Sequence, residues 1–261
     1  MNTFKKLGLT ALAGSLAVSS AVAGEMSVAG SASIGVKNTS HTTGKAWTMG
    51  NQLTFSGSGE TDGGLNVSLS FVIDQGDDTA IGSGPFDSHS VSIGSDAMGT
   101  LVFSGEGGSS AQSAVDTTAA GDIWDNGFGI SSPAASEAGN NSMLYTLPSL
   151  MDGVTLKASY SPSGAEKPDS ALAFSLGYTG IEGLSVDLAE GESNTKGSEA
   201  DTRTVKASYA VGSFTVAASN TEHNLKSGND DEVDSWKLSY TVSDDLSVTY
   251  GIEDITLEGS A

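Results

Sequence analysis

Apolar residues occupy every second position in a succession of segments along the chain beyond residue 24. In residues 65–71, for example, leucine, valine and phenylalanine alternate with asparagine and serine. A period of two places apolar side chains on one face of a β-strand and polar side chains on the other. About thirteen segments follow this pattern, and we predict a strand for each. The predicted strands are residues 26–36, 47–55, 65–73, 89–93, 101–103, 143–147, 154–160, 172–178, 184–188, 205–211, 214–218, 236–242 and 246–252.

The connections between these strands are alternately short and long. The short ones are residues 60–64, 95–99, 147–153, 179–183, 212–213 and 243–245, and the long ones are residues 38–45, 75–87, 106–140, 161–169, 191–201 and 220–234. Short turns at one end and long loops at the other are typical of outer-membrane β-barrels. A soluble β-sandwich shares the strand alternation and is the alternative, but it has no reason to keep its loops long at one end.

The first residues read as an export signal. Lys5 and Lys6 precede a short apolar run at residues 7–18, and Ala21-Val22-Ala23 supplies a small-residue cleavage pattern. We therefore expect residues 1–23 to be a signal peptide and residues 24–261 to form the mature domain. No later stretch is apolar for the roughly 20 residues that a membrane helix needs, so insertion into a membrane has to use strands.

Composition narrows the function classes further. The chain has no cysteine, which excludes disulfide frameworks, thiolate metal sites and cysteine nucleophiles. Its formal charge of -21 disfavours nucleic acids as partners because phosphates would be repelled.

Three stretches resemble the Gram-negative general porins. They are GEMSVAG at residues 24–30, NQLTFSG at residues 51–57 followed by TDGGL at residues 61–65, and NNSMLY at residues 140–145. The resemblance implies an all-β fold, namely an antiparallel up-and-down transmembrane β-barrel of the 16-stranded porin type, located in the outer membrane as a homotrimer. About thirteen strands are present here, and the chain ends at Ala261 and not on an aromatic residue. We therefore expect the barrel domain to be incomplete at its C-terminus.

The resemblance also implies a pore constriction. Residues 106–140 form the third long connection, which in these porins folds into the channel. The candidate constriction residues on this connection are Glu106, Asp116, Asp122, Asp125 and Glu137. Strand parity points four lysines into the channel, Lys37, Lys157, Lys206 and Lys237. Opposed charges around a narrow pore set ion selectivity. The alternative is that the acids only solvate a loop and the lysines sit on an ordinary polar wall.

The acidic balance predicts the sign of permeation. If the lipid-facing strand surfaces are nearly free of charge, the acids concentrate on the loops, the mouth and the channel. We therefore expect a passive channel for small hydrophilic solutes and ions that prefers cations. Further expected partners are membrane lipid and lipopolysaccharide.

Catalytic chemistry is not indicated. His41, His89 and His223 lie on separate segments, and no hydrolase or nucleotide-binding motif occurs, so we expect no enzyme and no cofactor. Acidic clusters at residues 74–78 and 229–234 could hold Ca²⁺, but they lack EF-hand spacing, and solvated loops are the favoured interpretation. The alternative function is a non-conducting barrel or surface adhesin whose acidic loops bind a partner or Ca²⁺.

Overall fold

The alternating segments fold into thirteen antiparallel β-strands. The computed structural model describes residues 26–38, 45–74, 86–115, 119, 140–163, 169–228, 230–243 and 246–258. The strands are β1 (Met26–Asn38), β2 (Lys45–Glu60), β3 (Asn66–Asp74), β4 (Phe86–Ser95), β5 (Gly99–Glu106), β6 (Ser142–Thr146), β7 (Val154–Ser161), β8 (Ala171–Tyr178), β9 (Leu184–Ser193), β10 (Ala200–Val211), β11 (Phe214–Leu225), β12 (Asp230–Ser243) and β13 (Leu246–Glu258). Within these ranges no helix is long and apolar enough to cross a membrane.

Each strand is the hydrogen-bonded neighbour of the next along the chain, in the order β1 to β13. The predicted all-β, up-and-down antiparallel fold is therefore confirmed. The chain divides into two compact units. The first unit comprises residues 1–95 and 104–107 and holds β1 to β4 with the end of β5, and the second comprises residues 96–103 and 108–261 and holds the start of β5 with β6 to β13.

Exposure alternates along the strands in the direction that the sequence predicts. In β8, Leu172 and Phe174 are 40% and 54% exposed, whereas Ala171 and Ala173 are 3% and 1% exposed. Exposed large side chains also occupy the apolar positions of β1 and β12. They are Met26, Val28, Ile34, Trp236, Leu238, Tyr240 and Val242. We call the positions in register with these residues the apolar face and the positions between them the polar face.

Aromatic side chains pair across strands on the apolar face. Phe55 and Phe71 stack in the first unit with ring centroids 4.8 Å apart. In the second unit, Trp236 and Tyr250 meet edge to face at 5.7 Å. Such cross-strand pairs contribute roughly 0.5–1.5 kcal/mol each beyond the area that they bury.

The short turns fit closely against their neighbours. At the turn between β8 and β9, Gly183 has a φ of 78° and its carbonyl accepts a hydrogen bond of 2.8 Å from the N–H of Ala210. A Cβ atom at Gly183 would lie 2.2 Å from the carbonyl oxygen of Ala210. Both the backbone conformation and the space therefore require glycine at this turn.

Two predicted connections are shorter than expected. The alternation predicts loops at residues 191–201 and 220–234, but β9 continues to Ser193, β10 starts at Ala200, β11 continues to Leu225 and β12 starts at Asp230. The prediction was wrong here because ladder hydrogen bonds join backbone groups, so pairing continues through polar residues after the apolar positions end.

Candidate functional site

A short segment lies against the polar face of the second unit. We call residues 110–119 the docked segment, of which residues 116–118 lie outside the described residues. The backbone N–H of Ala111 donates to the Ser159 hydroxyl on β7 over 2.8 Å. The backbone N–H of Ala119 donates to the Ser219 hydroxyl on β11, also over 2.8 Å. Ala111 and Ala119 are both fully buried, so these hydroxyls satisfy two N–H groups that have lost water.

The side chain of Gln112 also binds the docked segment to the wall. Its amide Nε2 donates to Thr204 Oγ1 on β10 over 3.0 Å. The same oxygen accepts a hydrogen bond of 3.1 Å from the hydroxyl of Thr221 on β11. Gln112, Thr204 and Thr221 are all 0% exposed. A buried polar group is stable only when it is hydrogen-bonded, so this contact specifies one position for the segment.

The docked segment also bonds to itself. The N–H of Ser110 donates to Ser113 Oγ over 2.8 Å, and the N–H of Ser113 donates to Ser110 Oγ over 2.9 Å. The N–H of Ala114 returns to the carbonyl of Ser110 over 3.0 Å. This compact turn closes before the chain reaches Asp116.

Small side chains form the wall around the docked segment. Ala171, Ala173, Ala189, Ala200 and Thr202 are all buried on the polar face of β8, β9 and β10. Alanine and threonine leave room for a second layer of backbone, which larger residues at these positions would exclude. The polar face of this unit is therefore built to receive a segment of chain.

The structure describes only some of the predicted constriction residues. Lys157, Lys206 and Lys237 occupy polar-face positions of β7, β10 and β12 and are half-buried. Glu106 is the last residue of β5 and is half-buried. Lys37 pairs with Ala46 in the register of β1 and β2, but its side chain lies outside the described residues. Asp116, Asp122, Asp125 and Glu137 also lie outside them.

The polar face carries further charges beyond the predicted constriction residues. Asp187 is the cross-strand partner of Lys206, and Glu253 is the partner of Ser235 on β12. Asp231 faces His223 across β12 and β11, and His223 Nδ1 shares a hydrogen bond of 2.8 Å with the Thr202 hydroxyl. Strand parity could have identified Asp187, because it lies between Val186 and Leu188 in the sequence.

The apolar face is not free of charge, contrary to the expectation from the sequence. Near the long connections of β9 to β13, beyond the last apolar residue of this face in each strand, acidic residues occupy the apolar-face positions. We call this surface the acidic rim, and its residues are Glu190, Glu192, Asp201, Glu222, Asp230, Glu232, Asp234 and Asp254. The expectation failed because these strands run on beyond their apolar positions.

Like charges of the acidic rim lie directly opposite one another. Glu222 pairs in register with Glu232, and Asp234 pairs with Asp254. Asn220 Nδ2 relieves part of this repulsion, since it donates to Glu232 Oε1 over 2.8 Å and to Asp234 Oδ1 over 3.1 Å. Opposed like charges destabilise a sheet unless water or donors screen them.

The acidic cluster at residues 229–234 is split between the two faces of β12. Asp230, Glu232 and Asp234 lie on the apolar face, whereas Asp231 lies on the polar face. Among the described residues no group of three or more histidine, aspartate or glutamate side chains is arranged to hold a metal ion. At residues 74–78 the favoured interpretation, a solvated loop, stays a prediction, because residues 75–78 lie outside the described part of the chain.

The connection between β9 and β10 carries its own charges. Hydrogen bonds from the backbone N–H groups of Glu199 and Gly197 lower the pKa of the Glu199 carboxyl below its usual value. Beside this connection, Nζ of Lys226, which follows β11, lies 3.6 Å from Oε1 of Glu192 on β9, with both side chains about half exposed. Such an exposed ion pair contributes little to stability.

Comparison with known protein families decides what this sheet is. The model of the Gram-negative porin family matches residues 8–260. The chain belongs to the Gram-negative porins. The family implies an outer-membrane location and a channel, and its fold accounts for the exposure of large side chains on the apolar face.

Solved porin structures share the fold at low sequence identity. OmpF of Salmonella typhi in complex with daunomycin matches with a TM-score of 0.60 and 13% identity, covering 88% of this chain and 79% of that one. OmpT of Vibrio cholerae with loop L8 deleted matches with a TM-score of 0.58 and 15% identity, covering 88% and 82%. An anion-selective porin of Comamonas acidovorans matches with a TM-score of 0.56 and 18% identity, covering 88% and 80%. A search of curated protein sequences gives no match.

Proposed function

We propose that this porin forms a passive, water-filled channel for small hydrophilic solutes and ions, and that the channel prefers cations. The observation that carries the proposal is the division between the two faces. Large apolar side chains are exposed on one face, as lipid contact requires, while the other face carries hydroxyls, lysines and carboxylates. A solute path along the polar face would be filled with water, and the solute would pass along it without reacting with the protein.

The docked segment supports a narrowed path. It adds a second layer on the polar face, where three wall hydroxyls hold it, and it belongs to the connection that the family resemblance assigns to the constriction. Asp116 lies in the sequence between the two docked residues Gln112 and Ala119. We infer that the connection of residues 106–140 brings its acids to the solute path.

The charge balance of the path supports cation preference. On the polar face of the second unit, Lys157, Lys206 and Lys237 are matched by three acids, Asp187, Asp231 and Glu253. Residues 107–141 then add Asp116, Asp122, Asp125 and Glu137 and contain no lysine or arginine. Since the wall is nearly balanced, the acids of the connection decide the sign.

The fold alone does not set this sign. One matched structure is described as an anion-selective porin. The preference therefore has to come from the residues of this chain. Assembly as a homotrimer in contact with lipopolysaccharide is part of the same proposal and is supported by the family resemblance.

Uptake into liposomes tests the channel. We expect vesicles that contain the purified full-length protein to swell in isotonic arabinose, to swell more slowly in larger sugars, and not to swell in a large dextran. Vesicles prepared with heat-denatured protein are the control. A folded protein that admits no sugar would instead favour the non-conducting barrel or adhesin.

A further inference from the structure

The charges of β9 to β13 are divided unevenly between the two faces. The acidic rim lies on the apolar face, where its residue Glu190 is the cross-strand partner of Arg203, whereas Asp187 and its partner Lys206 lie on the polar face. Only polar-face charges border the proposed solute path. The formal charge of the whole chain is therefore a poor guide to the field along that path.

Asp187 occupies a distinctive place on the polar face of β7 to β10. In these four fully described strands the polar-face charges are Lys157, Asp187 and Lys206. Asp187 is the cross-strand partner of Lys206 on one side and of Gly177 on the other. It is thus the one carboxylate of a wall section that otherwise carries two ammonium groups.

Gly177 has no side chain and leaves space for this carboxylate. A Cβ atom built on Gly177 would lie 3.1 Å from Asp187 Oδ1, so the carboxylate extends from β9 over β8. Lys157 lies in the same direction, on β7, the next strand beyond β8. The hydroxyl of Ser185 donates to Asp187 Oδ2 over 3.3 Å. Asp187 is half-buried, so its field is less screened than that of a fully exposed group.

We propose, on the basis of the channel function above, that Asp187 is a selectivity-determining residue of this porin. It offsets Lys157 and Lys206 and so keeps this section of wall open to cations. Without it the section carries only positive charge and attracts anions. The permeating species that it discriminates are small inorganic ions, K⁺ against Cl⁻.

The test compares Asp187→Asn with Glu190→Gln. Both substitutions remove one negative charge from β9, but Glu190 lies three residues away on the apolar face and is exposed. From reversal potentials in a KCl gradient near 0.1 M, we expect Asp187→Asn to lower the K⁺/Cl⁻ permeability ratio roughly two- to five-fold, the effect of one charge within several ångströms of the path. Glu190→Gln should leave the ratio unchanged.

Two further variants separate charge from folding. Asp187→Glu keeps the charge and should retain the wild-type ratio, and Lys206→Gln should shift the ratio toward cations. In 1 M KCl, where the Debye length is about 3 Å, the difference between Asp187→Asn and the wild type should shrink.

The possible outcomes distinguish this inference from the channel itself. Conducting variants in which Asp187→Asn and Glu190→Gln behave alike would overturn the role of Asp187 and leave the channel intact. A wild-type protein that conducts no ions would overturn the channel function and this inference with it.

Discussion

Replacing Ser159 and Ser219 together by alanine will raise the single-channel conductance of this porin. These two hydroxyls accept the backbone N–H groups of Ala111 and Ala119. Each buried N–H left without an acceptor costs about 1–3 kcal/mol. Since 1.4 kcal/mol is a tenfold change in an equilibrium, the double variant should release the docked segment from the wall for much of the time and widen the path.

Ser175→Ala is the matched control for this experiment. Ser175 is a half-buried serine on the polar face of β8, next to Lys157 in register, and it lies outside the contacts of the docked segment described above. Its replacement removes one hydroxyl from the same wall and should leave conductance unchanged. Equal conductance of the wild type and the double variant would mean that the docked segment does not narrow the path.

Neutralising the four acids of residues 107–141 will abolish the cation preference. The variant combines Asp116→Asn, Asp122→Asn, Asp125→Asn and Glu137→Gln. One carboxylate stabilises a cation at 4 Å by about 1 kcal/mol even in the dielectric of bulk water, and by more in a narrow pore. With these acids removed, Lys157, Lys206 and Lys237 remain on the wall against three acids, so we expect the K⁺/Cl⁻ permeability ratio to fall from above one to one or below.

The acidic rim provides a control with the same change in net charge. Glu222→Gln, Glu232→Gln, Asp234→Asn and Asp254→Asn also remove four carboxylates, but from the apolar face. Reversal potentials of this variant should match those of the wild type. A wild-type channel that prefers chloride, or a ratio that depends on net charge regardless of face, would show that the wall lysines or the mouth govern passage.

The strands and their faces could be predicted from the sequence because both depend on local alternation. Leu172 and Phe174 alternate with Ala171 and Ala173, and the structure exposes the first pair and buries the second. The hydrogen bonds of Gln112 could not be predicted. They join residues 92 positions apart in the chain, and nothing local distinguishes Gln112 from any other polar loop residue.

Strand ends and charges were harder to predict than strand faces. Apolar alternation in β9 stops at Leu188, yet the strand continues through Glu190 to Ser193. Acids of the strand therefore look like acids of a loop in the sequence, and the pattern predicts them near the mouth. Asp187 is hard to predict for a different reason, since it is a single acid within an apolar strand, outside the acid-rich connections.

A cysteine scan across β12 tests most directly whether the polar face borders water and the apolar face borders lipid. The chain has no native cysteine, so each introduced thiol is the only one present. Lys237 and Ser239 lie on the polar face, and Leu238 and Tyr240 alternate with them on the apolar face, where they are 44% and 42% exposed. In planar bilayers, a charged methanethiosulfonate reagent should react with Lys237→Cys and Ser239→Cys and change the channel current. It should leave Leu238→Cys and Tyr240→Cys unmodified. Reaction at Leu238→Cys and Tyr240→Cys with none at Lys237→Cys and Ser239→Cys, or equal reaction at all four positions, would contradict the account.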